Sequence, residues 1–126
     1  MGIDIYARWN GQTDEEIDAQ YMSCFSPHHG SMGYLRESYH GEPYATQYLV
    51  AEAFEHPESK AEIPAAILRE RLAHTLALVA ERERIVYHET NPEEIGAIQH
   101  SYTEFVELCE RKEAETGEPV TIIASF

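Results

Sequence analysis

Apolar and polar side chains alternate strictly from residue 3 to residue 9, with Ile3, Ile5, Ala7 and Trp9 on one side and Asp4, Tyr6 and Arg8 on the other. A period of two sends successive side chains to opposite faces of an extended chain, so this stretch predicts a half-buried strand that Asn10-Gly11 ends. Thr13-Asp14-Glu15-Glu16 then reads as a capping box, the Thr13 hydroxyl and the Glu16 carboxylate each satisfying an amide left unpaired at a helix start. A short helix to about Met22 follows, with Ile17 and Tyr21 on one face.

Farther along, the spacing lengthens to that of long helices. Leu68, Leu72, Leu76 and Val79 step along one face of a helix predicted from Pro64 to about Tyr87. Asn91 as cap, Pro92 in the first turn and Glu94 at the capping-box position start another, which carries Ile95, Ile98, Tyr102, Phe105 and Cys109 on one stripe. The connection is short, so the two helices form an antiparallel hairpin.

Gly117 ends the second helix, Pro119 blocks its continuation, and the β-branched run from Val120 to Phe126 closes the chain as a strand sharing a sheet with the first. Two strands alone are marginal, so the segment from Met32 to Tyr39, bracketed by Gly33 and Gly41, is expected to add a third. Pro43 is expected to open a helix through Phe54 with Tyr44 and Tyr48 on a shared face, and His56-Pro57-Glu58-Ser59 marks a loop. The fold class that results is α+β: a small sheet including the N- and C-terminal strands, packed against an antiparallel two-helix hairpin, with one or two short extra helices. Residues 1–126 are expected to form a single globular domain.

Composition narrows the functional classes. A chain of 126 residues with 43% hydrophobic and 25% charged positions suits one folded core. Its net charge of −14 is spread over both halves without a basic stripe, which disfavours nucleic acid and anionic membrane surfaces as partners. No apolar run approaches the ~18 residues of a membrane span. Two cysteines without a C-x-x-C pair, and a first segment lacking a basic leader or apolar stretch, make reduced thiols in the cytoplasm the expectation.

Candidate chemistry concentrates between His28 and Tyr44, where three histidines, three tyrosines, three glycines and one arginine share a span almost free of aliphatic side chains. Arg36 is the single basic residue between Arg8 and Lys60. A guanidinium set among acids can grip a carboxylate or phosphate through two parallel hydrogen bonds, or pair with an internal carboxylate. Tyr34 and Tyr39 offer flat faces and hydroxyls to enclose a ligand beside Arg36 and Glu37. His40 and His28 titrate near neutrality and are the candidate general acid and base. His28 and His29 would point to opposite faces of an extended chain, so one of them at most would join His40, with Asp4, Glu37 or Glu42 as carboxylate partner.

Histidine spacings typical of metal sites are missing, so no metal ligand is assigned, and no phosphate-loop or dinucleotide fingerprint identifies a cofactor. Gly30-Ser31-Met32-Gly33 lacks the spacing of a nucleophile elbow, and Cys24 reads as a buried inert thiol. His56, His74, His88 and His100 are expected in solvent, and Arg69, Arg71, Arg82 and Arg84 alternate with Glu70, Glu81 and Glu83 as a solvated helix face.

These residues point first to a small-molecule-binding domain whose pocket forms where the 28–44 segment meets the first strand and the hairpin. Arg36 would fix an anionic group, with His40 or His28 moving protons where a reaction occurs. Two other readings compete with it. One is an acidic protein-interaction module of inhibitor or adaptor type, and the other uses the 28–44 segment as a homodimer interface.

Overall fold

The alternating segment becomes strand β1 (Gly2–Arg8), which buries Ile3, Ile5 and Ala7. The chain is described here by a computed structural model covering residues 2–22, 25 and 32–126. Strands β2 (Leu35–Ser38), β3 (Lys60–Ile63) and β4 (Val120–Ser125) join β1 in one antiparallel sheet of order β2-β1-β4-β3. The first and last strands pair along their length, Ile5 facing Ala124 and Ala7 facing Ile122.

Helix α1 (Asp14–Ala19) opens with the expected capping box and runs into a 3-10 turn, Gln20–Met22. Two short helices follow β2, α2 (Ala45–Leu49) and α3 (Ala51–Glu55). The long helices α4 (Ala65–Val86) and α5 (Pro92–Thr116) form the expected hairpin. Leu68, Leu72 and Val79 from α4 and Tyr102, Phe105 and Cys109 from α5 join Ile3, Ile5 and Ile122 of the sheet in one core. No helix among the described residues is long and apolar enough to cross a membrane.

Four local departures have physical causes. The helix expected from Pro43 begins only at Ala45, because Tyr44 before it is still extended (φ −105°, ψ 107°); it is then interrupted at Val50 (φ −122°, ψ 44°). Tyr44 and Tyr48 consequently separate, Tyr44 lying against Arg82 and Tyr48 against His74. The third strand starts at Leu35 rather than Met32, since Gly33 turns the chain in the left-handed region (φ +76°) so close to β1 that a Cβ there would lie 2.6 Å from the Ile5 carbonyl oxygen. Strand β3 was not expected: with four residues, and only Ile63 fully buried, it is too short to display a period. Lastly, Arg82 and Glu83 are buried rather than solvated.

Candidate functional site

Strand alternation separates the candidates that sequence groups together. Leu35 and Glu37 face inward from β2, whereas Arg36 faces the outer side of the sheet, directly opposite Asp4 of β1. The Arg36 guanidinium donates to the Asp4 carboxylate at 2.6 Å, so the lone cation of this region is held by an acid 32 residues away. Tyr34 is buried in the core, stacked on Phe25 and tilted against Phe105 with ring centroids 5.3 and 5.9 Å apart.

Glu37 sits beneath the start of α2, a helix with no cap side chain of its own. The backbone N–H groups of Ala45 and Thr46 donate to its carboxylate at 2.8 and 2.9 Å, and the Thr46 hydroxyl donates as well. This carboxylate therefore serves as a cap delivered from a neighbouring strand. Its countercharge is Arg82 of α4, whose Nε lies 3.8 Å from Glu37 Oε2. Arg82 also donates to the carbonyls of Ser38, Gly41 and Pro43, fastening the whole turn between β2 and α2 to the helix. The rings of Tyr44 and Tyr87 flank its guanidinium at 4.9 and 5.8 Å. Burial, then the negative charge of Glu37, pushes the Tyr102 phenol well above its ordinary pKa.

What remains in solvent is a small aromatic corner. Ser38 Oγ meets His40 Nδ1 at 3.2 Å and the Tyr87 hydroxyl, and the His40 and Tyr87 rings stand edge to face at 5.8 Å. Tyr39 is 44% exposed and touches Tyr44 edge-on, while Ile85 on the last turn of α4 is 57% exposed. Of the candidate residues, then, Tyr39 and His40 share this corner, Arg36, Tyr34 and Glu37 lie elsewhere, and His28 falls outside the described residues, as does Cys24.

Sequence reasoning missed Ser38, Tyr87 and above all Arg82. Arg82 follows Val79 by three positions and so continues the apolar stripe of α4; that spacing was the available signal.

Acidic side chains outnumber basic ones 23 to nine, and most of the basic ones already have a carboxylate partner within the chain. Arg36, Lys60, Arg69, Arg71, Arg82 and Lys112, six of the nine basic side chains, are ion-paired. Among the described residues no group of three His, Cys, Asp or Glu side chains is arranged to hold a metal ion. At the far end of β1 lies a polar depression of about 180 Å³ between the turn after β1 and the edge formed by β3 and β4. Comparison with protein-family models, with curated proteins and with solved structures finds no match to this chain.

Proposed function

We propose that the chain is an acidic protein-interaction module, acting in the cytoplasm, that docks a basic partner surface through the corner formed by Tyr39, His40 and Tyr87. The observation that carries this reading is the fastening of that corner: Arg82 ties the carbonyls of the 38–43 turn, and Ser38 bridges His40 to Tyr87. Exposed aromatic rings held in place in advance lose little conformational freedom on association, which is why Tyr is enriched at interfaces. The surrounding charge of −14 steers cationic surfaces inward and repels a second copy of the same chain, which favours a basic partner over a homodimer.

A small-anion clamp centred on Arg36 is less favoured, since the ligand would have to displace Asp4 from a 2.6 Å contact. Titrating the isotope-labelled chain with an amphipathic peptide rich in Arg and Leu should move amide resonances of residues 38–41 and 85–88. The double variant Tyr39→Ala/His40→Ala should weaken that peptide by about tenfold or more. Shifts spread evenly over the acidic helices, or an affinity untouched by the double variant, would overturn the proposal.

A further inference from the structure

At the opposite end of β1 from the aromatic corner, three strands set a row of unlike side chains on the outer face of the sheet. Thr121 of β4 is the register partner of Arg8 on one side and of Glu62 on the other. With strands about 4.8 Å apart, the cation and the anion stand at backbone positions about 10 Å apart with a hydroxyl between them. Both Arg8 and Glu62 are exposed, and among the described residues neither is hydrogen-bonded or ion-paired through its side chain. That distinguishes Arg8 from most of the other cations of the chain, which are held by carboxylates.

These three residues line the depression of about 180 Å³, walled by Trp9 and rimmed by Asn10, whose amide donates to Glu118 at 2.7 Å. At ~30 Å³ per water this is room for about six water molecules, enough to seat a molecule as small as alanine. A simple anion entering here meets Glu62 and Glu118 as well as Arg8, and a simple cation answers the carboxylates but leaves Arg8 without a counter-ion. A molecule carrying both charges satisfies both ends at once.

We propose that this depression binds a small zwitterion of the α-amino-acid class, its carboxylate on Arg8 and its ammonium group on Glu62, laid across the Thr121 hydroxyl. The assignment is independent of the aromatic corner and uses none of its residues.

Trp9 is the only tryptophan of the chain and forms a wall of the depression, so its fluorescence reports occupancy directly. Alanine should change the emission saturably with a Kd of about 1 mM or tighter, and acetate or ethylammonium, each with one of the two charges, should bind about tenfold more weakly or worse. Arg8→Gln and Glu62→Gln should each weaken alanine by about tenfold without moving the thermal midpoint. The charge-exchanged double variant, Arg8→Glu with Glu62→Arg, should bind alanine in reversed orientation and recover most of the affinity. No saturable signal with alanine, acetate or ethylammonium binding as well as alanine, or full affinity in either single variant would overturn the assignment.

Discussion

Arg36 and Arg82 exchange the roles that sequence suggests for them. Arg36, isolated among acids, is a surface partner of Asp4, whereas Arg82, set in a mixed charged run, is 4% exposed and joins β2, the following turn and α4. Arg82→Met should therefore cost about 3–5 kcal/mol in urea unfolding, because it leaves the Glu37 carboxylate buried without its countercharge. Arg36→Ala, at a partly exposed pair, should cost about 1 kcal/mol or less. The titrating groups act in two pH windows. Bonding to Arg71 holds the Glu52 carboxyl below its ordinary value of 4.5, and Arg69 does the same for Glu110. Their contribution is present above that value and is lost as the pH falls through the depressed one. At the alkaline end, burial pushes the Cys109 thiol up to about 12 from 9.0 and raises Tyr102 above 10.0. Stability is fully present below those unfolded values and declines as the pH rises past 9, so the thermal midpoint should fall on both sides of neutrality. Cys109 should also resist a thiol reagent until the chain unfolds; rapid labelling of the native protein would contradict its burial.

At the level of elements, end signals proved readable wherever both partners are close in sequence. Thr13 and Glu16 form the capping box at 3.0 and 3.1 Å, and Gly117 ends α5 in the left-handed conformation. Thr13→Ala should lower stability by about 1 kcal/mol, read from the shift in urea midpoint. Asn91 caps α5 through Glu93 as its side chain suggests, but its own N–H donates to Glu89 rather than to Glu94. The start of α2 was illegible for the opposite reason: its cap is Glu37, eight or nine residues away on a strand. Gly33 shows the same dependence on a neighbour. Gly33→Ala should cost about 1–3 kcal/mol, since it combines a positive φ with a clash against the β1 backbone; a neutral result would mean that β1 and this turn can move apart.

For the molecule as a whole, the excess of carboxylates sets the response to salt. Raising ionic strength from low values to about 0.15 M should raise the thermal midpoint, because screening relaxes the self-repulsion of a chain at −14 while the ion pairs within it are short-ranged. The same salt should weaken capture of the basic peptide, so stability and association move in opposite directions. Periodicity and terminal residues sufficed to indicate an α+β chain, the helical hairpin and a sheet shared by its first and last strands, because each rests on side chains a few positions apart or on one face needing burial. They could not assign which cation was spoken for. That was decided by sheet register and helix placement, which bring Asp4 to Arg36 across 32 residues and Ser38 to Arg82 across 44, and which leave Arg8 and Glu62 flanking Thr121. A charge's availability depends on what folding places within about 4 Å of it, and linear spacing carries no measure of that distance.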